Sequence, residues 1–489
     1  MAKFDFDIGI IGGGAAGLTV TAGAAQLGAR TLLLEREEHL GGDCLHYGCV
    51  PSKTLIRTAQ IYHAIRRAPE FGLPKVEVPR VNFRDVAARI QQVIAAVQQH
   101  DSRERFCQLG ARVEIGRARF TDEHTVQVDG KKYTAKTWVI ATGSSPARPP
   151  IDGLQSTPFI TNREIFSLEQ LPESLLIVGG GPIAIEMAQA FSRLGSTVTV
   201  VQRSGQILTR EDRDLADEVM QILGQEGVRF YLDSTVLGVR NAGNRRQLTI
   251  RDNRNEEVEL YGDTILVATG RQANVAGLDL KGLGIEFTHQ GITVDRRLRT
   301  THKHIYAAGD VTGRYQFTHA AGYEGGIVVS NAIFRLPRKV NYTLLPWCTY
   351  TDPELASMGM NEKAAAAAGV KYSLWVEEFR NNDRSLAEGE TRGKIKLVLD
   401  EKEKPIGVQI LGPQAGELLS EWVAALHGKV KLATLAAAMH PYPTLAEINK
   451  KVAAAFFSTK IFSDRVKKGL QFFFSLKGRA CGDTVACEK

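Results

Sequence analysis

Two glycine-rich stretches, each lying between an apolar run and an alanine-rich segment, constrain the fold of this chain more than any other feature. The first is IGIIGGGAAG, in which Gly12, Gly14 and Gly17 fit the pattern GxGxxG. The run TLLLE then places Glu35 at the end of a second apolar segment, 18 residues after Gly17. This order predicts a strand, a tight turn and a helix whose N-terminus binds a pyrophosphate, with Glu35 binding a ribose hydroxyl.

The second stretch repeats the pattern, because Gly179, Gly181 and Ala184 fit GxGxxA between a predicted strand and helix. Its second strand ends in Gln202 and Arg203 rather than in an acid. A cation at this position suits a 2′-phosphate, so the sequence favours NADPH over NADH. The alternative is that Arg203 is an ordinary solvated residue. Two dinucleotide sites on one chain indicate electron transfer between two cofactors.

The segment GGDCLHYGCVPSK, residues 41–53, places Cys44 and Cys49 beyond the first nucleotide motif. A regular helix would separate the two cysteines by about 7.5 Å along its axis, which is too far for a disulfide. The three glycines of the segment permit a break, and Pro51 restricts the residue before it. We therefore expect a distorted entry to a helix and a redox-active thiol pair. The alternative is two buried structural thiols.

Two later strands and one turn complete the nucleotide motifs. The stretches VIATGSSP, residues 139–146, and ILVATGRQAN, residues 265–274, both read as strands ending in ATG and predict chain crossings between two nucleotide-binding domains. Asp310 follows a strand of small residues and is placed to hydrogen-bond the ribitol of a flavin. An aspartate in a turn is more commonly only a turn residue.

With these motifs in this order, residues 5 to about 465 resemble the FAD-dependent pyridine nucleotide disulfide oxidoreductases, a family that includes glutathione reductase, dihydrolipoamide dehydrogenase and mercuric reductase. The resemblance implies that NADPH reduces FAD and that FAD reduces the disulfide. It implies that Cys49 faces the flavin, that Cys44 exchanges with substrate, and that Lys53 and Glu186 form an ion pair near the flavin. The remaining cofactor contacts expected are Gly42, Thr142, Gly143, Gly270 and Thr318. One departure is Asp43, where the family usually has threonine, and its charge is expected to raise the pKa of the Cys44 thiol.

The stretch HPYPTLAEINK matches the place where disulfide reductases of this family carry a histidine that acts as acid and base on the partner's site. Alignment on Glu447 and the preceding Pro-Thr puts Tyr442 at the histidine position, with His440 two residues upstream. A histidine with a pKa of ~6.5 protonates a leaving thiolate well, and a tyrosine with a pKa of ~10 does not. Mercuric reductases place a tyrosine in a similar context, and reduction of a thiolate-bound soft cation needs no such acid. The alternative is that His440 still serves.

Cys481 and Cys487 stand within nine residues of the end. A cysteine pair near the C-terminus hands the metal ion to the redox pair across the dimer in mercuric reductases, where the two are adjacent. Large thioredoxin reductases use a tail pair as a second disulfide relay, and an idle tail is the third interpretation. If the tail delivers metal, the transient ligands of the substrate ion are Cys44, Cys49, Cys481 and Cys487. The phenylalanines at 472–474 beside lysines would fit a membrane surface, although docking on protein is the commoner use.

Composition supports a large enzyme of several domains, with 489 residues of which 24% are charged. Six cysteines in so long a chain do not make a disulfide framework, so Cys107 and Cys348 are expected to be packing residues. The basic residues that give a net charge of +7 are scattered, which argues against nucleic-acid binding. With no leader before the first strand and no apolar stretch of spanning length, we expect a cytoplasmic protein.

The predicted fold is α/β, with two Rossmann-like dinucleotide-binding domains and an α+β C-terminal dimerisation domain. We expect FAD-binding regions at 1–151 and 272–342, an NAD(P)H-binding domain at 152–271, a dimerisation domain at 343–465 and a tail at 466–489. The function expected is that of a homodimeric FAD and NADPH oxidoreductase most like mercuric reductase. A reductase of glutathione, thioredoxin or lipoamide type is the alternative, and a flavoprotein redox sensor with little turnover is an alternative of another class.

Overall fold

A computed structural model describes residues 4–477 of the chain. The chain forms two compact units. The first comprises the residues up to 342 together with 349–351, and the second comprises 343–348 and the residues from 352 onward.

The first unit contains most of the regular structure. Its strands are β1 Phe6–Ile11, β2 Thr31–Glu35, β3 Ala111–Ile115, β4 Ala118–Phe120, β5 Thr125–Val128, β6 Lys131–Ile140, β7 Ser144–Pro146, β8 Ser174–Val178, β9 Thr197–Val201, β10 Arg229–Tyr231, β11 Thr235–Ala242, β12 Arg245–Arg251, β13 Glu257–Gly262, β14 Thr264–Val267, β15 Arg271–Ala273 and β16 Ile305–Ala307. Its helices are α1 Ala15–Gln26, α2 Gly42–His46, α3 Cys49–Arg66, α4 Phe83–Gln98, α5 Arg103–Gln108, α6 Pro182–Leu194, α7 Arg213–Gln225 and α8 Thr318–Ala332.

The first nucleotide motif lies in a seven-stranded sheet with the order β3-β2-β1-β6-β5-β4, in which β16 also pairs with β6. Strands β1, β2, β3, β6 and β16 are parallel. Leu33 of β2 packs into one hydrophobic core, whereas Leu32 and Leu34 pack into another. Successive side chains of a strand point to opposite faces, so the sheet is covered on both sides, as a parallel sheet requires.

The second nucleotide motif lies in a smaller parallel sheet with the order β10-β9-β8-β14. An antiparallel sheet of β11, β12 and β13 packs against it, and the two share a core that includes Val178, Leu248 and Ile265. The apolar runs before each glycine motif therefore form the central parallel strands of two separate sheets. These two sheets confirm the predicted α/β class.

The second unit is built on one antiparallel sheet with the order β17-β18-β21-β20-β19. Its strands are β17 Pro346–Thr349, β18 Glu354–Gly359, β19 Tyr372–Glu378, β20 Lys394–Asp400 and β21 Pro405–Gly412, and its helices are α9 Glu362–Ala367, α10 Asp383–Glu388, α11 Ala415–His427, α12 Leu432–Ala437, α13 Glu447–Ile461 and α14 Asp464–Phe474. Helices α11, α12 and α13 cover one face of the sheet around the buried Trp422, whose indole N–H donates to Asn449 Oδ1 over 2.8 Å. The α+β character predicted for this region is confirmed. Within residues 4–477, no helix has the length and apolarity needed to cross a bilayer.

Candidate active site at the cysteine pair

The first glycine motif forms a tight turn between β1 and α1. Gly12 has a φ of +109°, and a Cβ on Gly17 would lie 1.8 Å from the carbonyl oxygen of Gly12, so neither position tolerates a side chain. Gly14 caps α1 without a side-chain hydrogen bond, and the first turn holds no acid. The N–H groups at this helix end therefore remain for an anion, which fits the pyrophosphate of FAD.

Glu35 lies buried at the end of β2 beside this turn. Its Oε2 accepts a hydrogen bond of 2.6 Å from the N–H of Gly13, and its Oε1 accepts from the N–H groups of Arg36 and Glu37. These three bonds fix the carboxylate against the glycine turn. The structure therefore brings Glu35 to the place where the sequence predicts a ribose contact.

Asp310 begins a short 3₁₀ turn after β16. Burial raises the pKa of its carboxyl group, and a hydrogen bond of 2.6 Å from Ser144 Oγ to its Oδ2 opposes that shift. A second donor would further stabilise this carboxylate, which fits a ribitol hydroxyl of FAD. Thr142 and Gly143 lie just before Ser144, where the Thr142 hydroxyl donates to the carbonyl oxygen of Asn274 over 2.7 Å.

The cysteine segment breaks into two helices at Tyr47 and Gly48, so Cys44 lies in α2 and Cys49 is the first residue of α3. Both cysteines are free thiols, and each is the largest influence on the pKa of the other. A Cβ on Gly42 would lie 2.8 Å from the Cα of Gly14, which means that this segment lies directly on the nucleotide turn. The predicted departure from a regular helix is confirmed.

The two thiols differ in acidity. The hydrogen bond from Cys44, with smaller contributions from the Thr318 hydroxyl and the Lys53 ammonium, lowers the pKa of Cys49 to about 6, although desolvation of the thiol opposes this shift. The same hydrogen bond raises the pKa of Cys44, and burial adds to that effect. Thr318 Oγ1 lies 3.4 Å from Cys49 Sγ. At neutral pH the reduced pair therefore holds one thiolate, on Cys49, and one thiol, on Cys44.

Asp43 is not among the main causes of the raised pKa of Cys44, which are the hydrogen bond with Cys49 and burial. Its Oδ2 forms an ion pair of 2.8 Å with Nη2 of Arg271, on β15. Arg271 also donates to Ser144 and lies 3.8 Å from Asp310 Oδ2. One arginine thus neutralises the unusual aspartate and contacts the residues around the predicted ribitol site.

Lys53 connects the cysteine helix to the second nucleotide domain. Its Nζ lies 2.9 Å from Oε2 of Glu186 on α6 and 4.2 Å from the centre of the Tyr350 ring. The other oxygen of Glu186 accepts a hydrogen bond of 2.9 Å from the N–H of Tyr350. Glu186 is almost fully buried, whereas the Lys53 side chain is 34% exposed, so only the carboxylate of the pair is shielded from bulk water.

The second glycine motif reproduces the first. Gly179 has a φ of +118°, and a Cβ there would lie 2.4 Å from the carbonyl oxygen of Ala268. Gly181 caps α6 without a side-chain bond, and Ala184 is fully buried within that helix. Gly270 has a φ of +130° just before β15. The N-terminus of α6 is therefore open to an anion, which fits a second dinucleotide.

Gln202 and Arg203 follow the end of β9. The Gln202 amide donates to the Ser204 hydroxyl over 2.6 Å. Gln202 therefore supplies no carboxylate to bind a ribose hydroxyl. Arg203 is exposed, and no residue between 4 and 477 forms an ion pair with it. A cation without an internal partner at this position suits a 2′-phosphate.

The predicted acid–base residues lie in the second unit. Tyr442 is 70% exposed and donates a hydrogen bond of 2.7 Å to Asp383, which raises the pKa of its phenol. His440 is nearly buried, with Nε2 3.0 Å from Oε1 of Glu421. Glu447 is the first residue of α13. Asp383 and Glu421 were not singled out in the sequence, because no local motif marks them.

The other four cysteines have different outcomes. Cys481 and Cys487 lie outside the described residues. Cys348 packs against the core of the second unit, as expected. Cys107 is exposed, so its assignment as a packing residue is wrong. Its neighbour Phe106 takes the buried face of the short helix α5, and a residue one position along a helix points about 100° away.

Comparison with known proteins agrees with these motifs. A family model described as pyridine nucleotide-disulphide oxidoreductase matches residues 6–325, and a model of the dimerisation domain of that family matches residues 345–453. A mercuric reductase of Lysinibacillus sphaericus is 33% identical over 460 residues, covering 94% of this chain and 84% of the relative. A dihydrolipoyl dehydrogenase of Bacillus subtilis (strain 168) is 34% identical over 468 residues, covering 92% and 98%.

Among solved structures, the HOCl-induced flavoprotein disulfide reductase RclA from Escherichia coli superposes with a TM-score of 0.82 at 27% identity, covering 92% of this chain and 99% of that one. The relatives are thus similar across both units and divide between two activities. Similarity alone does not choose between a metal ion and a disulfide as the electron acceptor.

Proposed function

This chain belongs to the pyridine nucleotide-disulphide oxidoreductase family, and from that premise we propose that it reduces Hg(II), or a related soft metal ion bound by thiolates, with electrons from NADPH. The reaction converts Hg(II) and NADPH into Hg(0), NADP⁺ and a proton. Bound FAD supplies the chemistry that connects the two-electron donor to the cysteine pair. The dimerisation domain supports a homodimer, and we propose a cytoplasmic location, where thiols are kept reduced.

The environments of the two candidate acids in the second unit favour a metal ion over a disulfide as the electron acceptor. The phenol of Tyr442 has a raised pKa and donates to Asp383, while His440 is nearly buried against Glu421. Cleavage of an organic disulfide releases a thiolate that needs a proton donor near neutral pH. Reduction of a metal ion needs none, so the residues present fit the metal better.

The cysteine pair is suited to a soft cation as its substrate. Cys49 already holds a thiolate at neutral pH, and a metal ion bound to Cys44 would displace the proton that its raised pKa otherwise retains. Two thiolates are the preferred ligands of a soft ion. Lys53 and Thr318 then stabilise the negative charge on Cys49 between turnovers.

A panel of electron acceptors tests the proposal directly. NADPH oxidation would be measured with Hg(II) in excess thiol, with oxidised glutathione, with lipoamide and with oxidised thioredoxin. We expect the highest kcat/KM with Hg(II). Glutathione turnover comparable with that of a dedicated reductase would overturn the proposal.

Two other functions fit the same geometry. A disulfide reductase is supported by the similarity to dihydrolipoyl dehydrogenases, and it would show its highest kcat/KM with one of the disulfides. A flavoprotein redox sensor would use the same thiol pair with little turnover. Steady NADPH consumption with any acceptor in the panel excludes the sensor.

Arg203 should determine the preference for NADPH. Replacing Arg203 by Ala and Gln202 by Glu should lower kcat/KM for NADPH by roughly 10- to 100-fold, because a charge-assisted bond to the 2′-phosphate is lost and a repelling carboxylate is added. Steady-state kinetics with both nucleotides measure the change. Arg254→Ala, at an exposed arginine in the turn after β12, is the matched control and should leave the preference unchanged. An unmodified enzyme with equal or better kcat/KM for NADH contradicts the assignment.

Tyr442 should limit the reduction of disulfides. Tyr442→His should raise kcat/KM for lipoamide or oxidised glutathione by about tenfold or more, because an imidazole protonates the leaving thiolate near neutral pH. Tyr442→Phe is the control, since it also removes the hydroxyl bonded to Asp383 but supplies no acid. A similar gain in both variants would show that the contact with Asp383, rather than the missing acid, limits the reaction.

The tail cysteines should deliver metal to the partner's Cys44. Truncation after Lys477 should slow Hg(II) reduction most when competing thiols are abundant, because successive thiol exchange keeps the ion bound throughout its transfer. Mixed dimers test the direction of delivery. If delivery crosses the dimer, a tail deletion on one subunit and Cys44→Ser on the other leave one working site, whereas both changes on the same chain leave none. Unchanged turnover of the truncated enzyme at every thiol concentration contradicts a delivery role.

A further inference from the structure

Helix α14 lies beyond both family models, the second of which ends at residue 453. It has 11 residues, and none of them is buried. Phe472, Phe473 and Phe474 are 81%, 76% and 71% exposed, and Ile461 and Phe462, just before the helix, are also exposed. So dense a cluster of exposed apolar side chains marks an interaction surface rather than chance exposure.

The side chains of α14 divide into two faces. Val466, Leu470, Phe473 and Phe474 follow the spacing i, i+4, i+7 and i+8, which places them on one face of the helix. Arg465, Lys467 and Lys468 flank this face or lie opposite it, and Asp464 is the only acid in the helix. Lys477 adds a further cation just after the helix ends.

We propose that α14, with Ile461 and Phe462, docks this enzyme on the surface of an anionic lipid bilayer. An apolar face with aromatic residues, flanked by lysine and arginine, fits the boundary between acyl chains and negatively charged headgroups. At about 16 Å the helix is far too short to cross a bilayer, so it would lie in the plane of the surface.

Charge favours a lipid surface over a second copy of the chain as the occupant. Lysine is depleted in the cores of protein interfaces, whereas three cations lie within five residues of the apolar face here. The match to the family's dimerisation domain also ends before α14 begins, so this helix lies outside the region that the family model describes.

Vesicle flotation of the full-length, FAD-loaded protein tests the proposal. We expect the protein to float with vesicles of phosphatidylglycerol mixed with phosphatidylcholine at low salt. Binding to vesicles of phosphatidylcholine alone should be weaker by at least about tenfold. Added salt should weaken binding to the anionic vesicles, because it screens the basic side chains. The readout does not depend on the electron acceptor, so it is independent of the proposed reaction.

Two paired variants separate the apolar and basic contributions. Leu470→Ser with Phe473→Ser should lower vesicle binding about tenfold or more, and Lys467→Glu with Lys468→Glu should do the same and remove the salt dependence. The matched controls are Phe472→Ser, on the opposite side of the helix, and Lys429→Glu, at an exposed lysine outside it, and both should reduce binding less. Retained FAD and an unchanged circular dichroism spectrum would show that each variant is folded.

Absence of flotation with anionic vesicles, or equal binding to both lipids at all salt concentrations, would overturn the proposal. Sedimentation velocity addresses the competing occupant. If the Leu470→Ser and Phe473→Ser pair splits the dimer while the unmodified protein ignores vesicles, α14 is a contact between copies of the chain and the proposal is wrong.

Discussion

Replacing Cys49 by serine should abolish the long-wavelength absorbance that a thiolate gives beside oxidised flavin, whereas replacing Cys44 by serine should retain it. The reason is the unequal acidity of the pair, because the pKa of Cys49 is lowered to about 6 and that of Cys44 is raised. Either change should lower turnover with every acceptor by at least about a thousandfold, since the reaction needs both sulfurs. Absorbance spectra of the two-electron-reduced unmodified enzyme and of each variant with its flavin oxidised, together with steady-state kinetics, measure the two effects.

The same absorbance should titrate with pH. A lowered pKa means that the thiolate is present above about pH 6 and is lost as the pH falls through that value. Cys107→Ser is the matched control, because it removes an exposed thiol from α5 and should change neither spectrum nor turnover. If Cys49→Ser keeps the absorbance and Cys44→Ser loses it, the roles of the two cysteines are reversed.

The nucleotide turns and the break between the cysteines could be predicted because their causes are local. A Cβ on Gly17 would collide with the carbonyl oxygen of Gly12 five residues earlier, so the spacing of the glycines itself specifies the turn. The two cysteines likewise need a break in a single short segment, which the glycines around Cys44 allow. In both cases the residues that impose the geometry stand next to the residues they place.

The charge around Cys44 could not be predicted in the same way. The sequence around Asp43 contains no sign of a partner for its negative charge. The cation that pairs with it, Arg271, lies on β15, more than two hundred residues later in the chain. The stretch ATGRQAN predicts a chain crossing, and nothing in its sequence indicates which carboxylate its arginine contacts. The contact of Tyr442 with Asp383 likewise joins residues far apart in the chain, so the sequence does not indicate it.

Replacing Arg271 by methionine should strongly destabilise the first unit and weaken its hold on FAD. Arg271 is 13% exposed and Asp43 is 25% exposed, so removal of the cation leaves a poorly hydrated carboxylate without its partner. Breaking a buried pair in this way costs about 3 to 5 kcal/mol, and partial exposure here argues for the lower end. Asp310 would lose the same cation, so its already raised pKa should rise further. Denaturant unfolding and the rate of FAD release measure the two losses.

A second substitution distinguishes a paired charge from simple loss of packing. Asp43→Thr removes the carboxylate that needs Arg271, so the variant carrying both Arg271→Met and Asp43→Thr should be more stable than Arg271→Met alone. Strictly additive losses would show that the two residues act independently, and the ion pair would then have no special role. Arg271 also donates to Ser144, which bonds Asp310, so the double variant should recover folding stability more fully than FAD retention. That unequal recovery is the signature expected of one arginine that both neutralises Asp43 and orders the residues around the ribitol site.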